Sequence, residues 1–287
     1  MLFRSVEIVD RELNGLKPEE YVIVDPDSRL LQLGMLPVVK GDKRYFFFES
    51  RRWVGEFEDP IGVVTAKWLG QTFGTIMPLL PEVWLRPADH SLGAELLSAL
   101  RAGGADAALR RPIVAISFGN GNNPAKRAPD SFEAGLLLRL LAEGNSIVLD
   151  KGFGEDEAQR ADSLADAARG NGYAVAEINA ASAKEAISSG SLRDVRLLVW
   201  EGGIGAWASL IAASDEFIGY DSAGQHIAAA LRVPLVDIFV EPSSAKFRSR
   251  WRPAGRGSIS IIDRAGKTID PKALVQDVMN ARTSRKK

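Results

Sequence analysis

The sequence predicts an α/β protein built on a mostly parallel sheet, and three observations carry that prediction. Short β-rich runs alternate with longer amphipathic runs along the chain, which is the pattern of strands joined through covering helices. Several strands read as continuous apolar stretches (IVAIS, SIVL, LVDIFV), as strands do when helices cover both faces of their sheet. Glycine-, asparagine- and serine-rich turns follow those strands and open directly into helical patterns.

The 287 residues suit two ordinary domains. In the first part the pattern predicts strands at residues 21–24 (YVIV), 44–48 (RYFFF) and 82–85, with helices at 30–36, 62–73 and 91–101. The stretch AGGADAALRRP, ending at Pro112, is rich in small residues and then turns basic, so it reads as a linker. This places a first domain at 1–110 and a second at 111–287. In the second, PIVAISFG is a strand that feeds the loop GNGNNPAKRAP. A helix follows over SFEAGLLLRLLAEG, capped by Asp130 or Ser131 and stopped by Gly144. SIVLD, YAVAEI, VRLLVW, EFIGYD, LVDIFV and SISII supply six more strands, and a last helix covers 271–281.

Composition excludes several function classes. There is no cysteine, so disulfides, thiolate metal sites and cysteine nucleophiles are ruled out. His90 and His226 are the only histidines, too few for a multi-histidine metal centre, and no metal is expected. The charges nearly cancel, with Lys+Arg 36 against Asp+Glu 37, which argues against broad nucleic-acid binding. No apolar run reaches the roughly 18 residues of a membrane span, and MLFRSVEIVDREL lacks the apolar core of a secretory signal. The expected location is the cytoplasm.

In open parallel sheets, ligands sit beyond the carboxyl ends of the strands, so chemistry is sought in the loops that follow them. The segment from Tyr220 to His226 (YDSAGQH) joins a strand to a helix through small residues, which aims backbone N–H groups and the helix dipole at one point and favours a phosphate. Ser222 can donate a hydrogen bond, and Gly224 permits close approach of a ligand. Equally, Asp221 or Ser222 can simply cap the helix, and His226 can be a packed side chain. The loop from Gly119 to Arg127 combines Gly119, Asn120 and further Gly and Asn residues with Lys126 and Arg127, a composition suited to a diphosphate or to a solvated turn. Asp150–Glu155 reads as a structural turn. Glu201 and Gly202 open a third glycine-rich turn, where a carboxylate can accept from ribose hydroxyls. Lys246, Arg248, Arg250 and Arg252 alternate with Phe247 and Trp251, a pattern that can stack a base or lie in solvent.

The run DSAGQHIAAALRVPLVDIF, followed by a loop ending in WRP, resembles the D-S/T-G-x-x-H-x-A-A-A segment of family 9 glycosyltransferases, the bacterial heptosyltransferase-like enzymes of GT-B fold. SFGNGNNPAKRAPDSFEAGLLLRLLAEGNSIVLDKGFGEDE resembles the family's preceding strand, K-R-W-P-like loop, helix and G-G-x-x-E segment. The resemblance implies two Rossmann-like domains facing each other, the second holding a nucleotide-diphosphate sugar and the first an acceptor. It implies metal-independent, inverting transfer to a cell-envelope glycan or lipid-linked acceptor, as in lipopolysaccharide biosynthesis, on the cytoplasmic face of the inner membrane, with no cofactor besides the donor substrate. By motif, Asp221, Ser222, Ala223, Gly224 and His226 line the diphosphate and sugar pocket, Lys126 neutralises the leaving diphosphate, and Glu201 lies near the nucleoside. Ala128 and Ala223 depart from the family's usual Trp and Gly. The family's opening strand and glycine-rich loop with a catalytic Asp find no counterpart, so the first domain is expected to be incomplete or reduced, with Asp25 a weak candidate for the base. The alternative reading is a nucleotide-sugar-binding protein without turnover.

Overall fold

The structure, a computed structural model, describes residues 17, 20, 22–25, 45–48, 59–76, 78, 80–102, 111–121, 123–241 and 243–284. The helix expected at 30–36 and most of the linker at 102–112 lie outside the described residues. The chain divides into two compact units, Met1–Leu79 and Leu80–Lys287.

In the first unit, β1 (Ile23–Asp25) and β2 (Tyr45–Phe47) pair in parallel, Val24 opposite Phe46. A helix, α1 (Ile61–Phe73), follows and stops at Gly74 in the left-handed region, φ 62°. Phe48 and Trp68 stack at 5.3 Å between ring centroids.

The second unit opens with α2 (Pro87–Arg101), which has Pro at the start of its first turn, where the missing N–H costs nothing. The strand expected at 82–85 is absent: the segment lies between Pro81 and Pro87 and pairs with no strand among the described residues. The remaining elements alternate strictly. They are β3 (Ile113–Ser117), α3 (Asp130–Ala142), β4 (Ser146–Asp150), α4 (Glu155–Gly170), β5 (Val175–Asn179), α5 (Ala183–Ser189), β6 (Leu197–Glu201), α6 (Ile204–Ala213), β7 (Glu216–Tyr220), α7 (Ala223–Ala230), β8 (Leu235–Phe239), α8 (Ala245–Trp251), β9 (Ile259–Asp263) and α9 (Pro271–Ser284). Asp130 is the first residue of α3 rather than its cap, and Gly144 follows the helix with φ 89°.

The seven strands form one parallel sheet in the order β5-β6-β4-β3-β7-β8-β9. Alternate residues feed two cores. Val114, Ile116, Ile218 and Val236 face α3, α4 and α9 on one side. Ile113, Ala115, Trp200 and Phe217 face α2, α5, α6 and α7 on the other. Here α2 differs from expectation. Leu96, Leu97 and Leu100 are fully buried against the second unit's sheet, so the division falls about 30 residues ahead of the expected 110/111 boundary. Gly93 lets α2 seat on α6, since a Cβ there would stand 2.5 Å from the Ser209 carbonyl oxygen.

The opposite, amino-terminal edge of the sheet is fastened by arginines. Arg101 donates to the Ala213 carbonyl and Asp215, Arg196 to the carbonyls of Leu141 and Asn145, and Arg282 to Glu216 and Asn145. That end is closed by internal bonds, and the carboxyl end is left to the loops.

Candidate functional site

Chain order reverses at β3: β4 is laid on one side of it and β7 on the other. The loops after β3 and β7 therefore part around a crevice at the carboxyl edge, the place where open α/β sheets hold ligands. Lys126 and Asp221 meet there. The Lys126 Nζ donates to Asp221 Oδ2 at 3.0 Å and to the Asp221 carbonyl at 3.1 Å, with the lysine side chain 21% and the aspartate 9% exposed. A short 3-10 turn, Pro124–Lys126, delivers the lysine; the Asn123 side chain accepts from the Ala125 N–H at its start.

Asp221 does not cap α7. Its Oδ1 accepts from the Gln225 side chain at 2.7 Å and its Oδ2 faces Lys126. Ser222 occupies the cap position but its hydroxyl makes no cap bond, so the first N–H groups of α7 keep their donors toward the crevice. Ala223 is exposed beside it. His226, one turn further, is half-buried; burial lowers its pKa, Lys126 lowers it further, and Asp221 opposes both. Gly224 has a packing task. A Cβ there would meet the Phe217 ring at 2.6 Å, so the glycine serves the seating of α7 on the sheet.

The loop after β3 is tied down from α4. Glu157 reaches back to accept from the N–H of Asn120 at 2.9 Å and from that of Phe153 at 2.7 Å, so Asn120 spends its donor internally. Gly119 lies against the same carboxylate and the Ser117 hydroxyl, while Gly121 takes φ 61°. Asn122 lies outside the described residues. Arg127 turns away from Lys126: its guanidinium pairs with Asp130 and with the buried Glu133, which also accepts from Tyr220 at 3.0 Å. Burial raises the pKa of Glu133, and the guanidinium and phenol offset part of that rise. Arg127 is thus an anchor of the loop, and Lys126 alone of the two faces the crevice.

Glu201 and Gly202 are not brought to this centre. They lie at the end of β6, two strands from β3, roughly 10 Å at ordinary strand spacing. Glu201 is 67% exposed and stands 3.9 Å from Lys151 Nζ, which Asp162 (3.1 Å) and Glu177 (3.7 Å) share. The missing side chain of Gly202 makes room for Trp200, whose ring a Cβ would meet at 2.7 Å. Asp150, read as part of a structural turn, is buried at the end of β4, and burial pushes its pKa up to about 6 despite bonds from Gly152 N–H and the Ser117 hydroxyl. The basic run after β8 forms helix α8, with Arg248 paired to Asp263 at 2.8 Å and Arg250 buried. An open pocket of about 260 Å³ lies between α8 and the end of β9.

Three participants escaped the sequence reading. Gln225, fully buried, holds Asp221 from within α7. Asn123 donates to Glu241 at 2.9 Å, bridging the loops after β3 and β8. Asp237 lies buried in β8. Gln225 and Asn123 lie within the two turns the sequence singles out but carry no role of their own there, and the signal for Asp237 is an acid in an apolar strand. In the first unit, Asp25 is buried and accepts from the Tyr45 hydroxyl at 2.8 Å. Among the described residues no group of three or more His, Cys, Asp or Glu side chains is placed to hold a metal ion, and no helix is long and apolar enough to cross a membrane.

No known protein-family profile and no curated protein matches the chain. Solved structures do. A glycosyl transferase family 9 structure from Veillonella parvula DSM 2008 superposes with a TM-score of 0.58 at 13% identity, covering 96% of this chain and 70% of that one. The E. coli heptosyltransferase WaaC with ADP-2-deoxy-2-fluoro heptose superposes at 0.55 and 12% identity, covering 96% and 76%. E. coli ADP-heptose lps heptosyltransferase II gives 0.47 at 20% identity, and this chain spans only 56% of its length. At such identities the likeness is one of architecture, and on it the chain has the fold of the family 9 and heptosyltransferase structures.

Proposed function

We propose that the second unit binds a nucleotide-diphosphate sugar across the β3–β7 crevice and that the protein is a metal-independent, inverting glycosyltransferase. Its acceptor is a cell-envelope glycan or lipid-linked saccharide at the cytoplasmic face of the inner membrane. The observation that carries this reading is the Lys126 ammonium held on Asp221 beside the uncapped start of α7. A departing nucleoside diphosphate gains negative charge as the sugar leaves. A fixed cation and preorganised backbone donors stabilise that charge more than they stabilise the bound donor, which is the condition for catalysis. Ser222 and Ala223 present the backbone, neutral His226 lies one turn below, and Glu201 borders the nucleoside end. The fold shared with a heptosyltransferase solved with an ADP-linked sugar makes ADP the first nucleotide to try.

A second reading, nucleotide-sugar binding without turnover, is favoured by one observation. Asp25, the candidate base, is buried and already engaged by Tyr45. Calorimetry with ADP, UDP, GDP and dTDP tests the site: one nucleotide is expected to bind, and its saturation at 100 times Kd adds roughly 2.7 kcal/mol of stability. Release of nucleoside diphosphate from the matching donor in the presence of acceptor separates transfer from binding. No heat with any nucleotide overturns both readings.

A further inference from the structure

Asp237 is the one charged residue of β8, whose sequence is otherwise apolar (LVDIF), and it is 0% exposed. Gly219 on β7 and Ile261 on β9 stand beside it in register. Val236 and Ile238 face α9, so alternation puts Asp237 with Leu235 on the α7 side of the sheet. Neither carboxylate oxygen finds a hydrogen-bond partner of normal geometry among the described residues. An ionised carboxylate in that position has no solvent and only the Ile238 backbone N–H to draw on, which is a costly way to bury a charge.

Charges around it agree. Burial pushes the Asp237 carboxyl well above the usual range and Asp221 pushes it further by repulsion, while the Ile238 backbone N–H and Lys126 pull against them. Lys126 is already committed to two oxygens of Asp221. The other titratable groups on elements against β8 are Glu216 and Tyr220 on β7, His226 on α7, Lys246, Arg248 and Arg250 on α8, Asp263 at the end of β9, paired with Arg248, and Lys272, Asp277 and Arg282 on α9 across the sheet. Asp277 pairs with Arg264 and Arg282 with Glu216. On the α7 side, Gln225 spends its amide N–H on Asp221 and keeps a buried carbonyl oxygen without a donor, an acceptor of the kind a carboxylic acid proton needs.

We propose that Asp237 is held as a neutral carboxylic acid, a positioning residue that lies opposite Gly219 in register without competing for Lys126, so that the ammonium keeps its place at the crevice for an anionic ligand. The role given to Lys126 rests on the function proposed above; the protonation of Asp237 does not. The deciding experiment follows the side-chain carboxyl carbons of the uniformly ¹³C-labelled full chain as pH rises. Asp237 is expected to keep the chemical shift of a protonated acid at about pH 7.5, where ordinary aspartates, with pKa near 3.9, are fully ionised. Through-bond correlation assigns it in the unaltered protein, and loss of the signal in Asp237→Asn confirms the assignment. A completed titration of Asp237 below about pH 5 overturns the proposal. Affinity for ADP gives an independent readout. Asp237→Asn, which already matches a neutral acid, is expected to bind within about twofold of the unaltered protein, whereas a tightening of about tenfold on removing a charge overturns it. If neither protein binds ADP, the functional reading fails and the carboxyl shift alone decides Asp237.

Discussion

At the scale of single residues, Lys126 and Asp221 separate ligand binding from folding. Lys126→Ala removes a cation from the crevice but leaves Asp221 bonded to Gln225, so melting is expected to stay within a few degrees. Nucleotide affinity is expected to fall about 10- to 100-fold, the range of a charge-assisted hydrogen bond worth about 1.5–3 kcal/mol. Calorimetry checks this, and unchanged affinity removes Lys126 from the site. Asp150 carries a pH prediction. Its pKa is raised from the ordinary 3.8 to about 6 in the folded chain, so the fold holds the proton more tightly than the unfolded chain does. Its contribution to stability is full below about pH 4 and is lost as pH rises through about 6, on the order of 3 kcal/mol. Asp150→Asn is expected to flatten the stability profile between those values, measured by urea denaturation at each pH; a parallel profile overturns the assignment. Side-chain roles of this kind are where the sequence says least. DSAGQH identified the turn, and the K-R pair named the cations. It took the fold to show that Lys126 crosses to Asp221 while Arg127 turns to Glu133, because the residues involved lie 95 and 6 positions apart.

Elements were far more legible, because strand period and helix punctuation are local. Each strand expected after Pro112 is present, and SIVLD and VRLLVW match nearly residue for residue. What periodicity does not encode is the partner of an amphipathic face. The pattern over α2 was plain, yet nothing in it says that its leucines cover the sheet of the second unit. The packing of α2 on α6 is testable at Gly93. Gly93→Ala places a methyl 2.5 Å from a backbone oxygen that has no freedom to move. Overpacking of this type costs about 1–3 kcal/mol, enough to lower the urea midpoint measurably. An unchanged midpoint shows that α2 is not held where it is described.

For the whole molecule, the same packing sets where the chain can be cut. A fragment of residues 80–287 carries α2 and is expected to melt cooperatively. One of 112–287 leaves Trp207, Leu210 and Ile211 of α6 uncovered, and is expected to bind hydrophobic dyes and lose its sharp transition. Equal, cooperative melting of the two fragments overturns the unit division. The topology of the sheet has a consequence in time as well. The central strand β3 pairs with β7 through residues such as Ile116 and Ile218, about 100 positions apart. At translation rates of about 5–20 residues per second, β3 leaves the ribosome roughly 5–20 s before its second neighbour exists. During that interval a fully buried strand has one open edge, and the nascent chain must be shielded by chaperones or by its own α2 until β7 arrives.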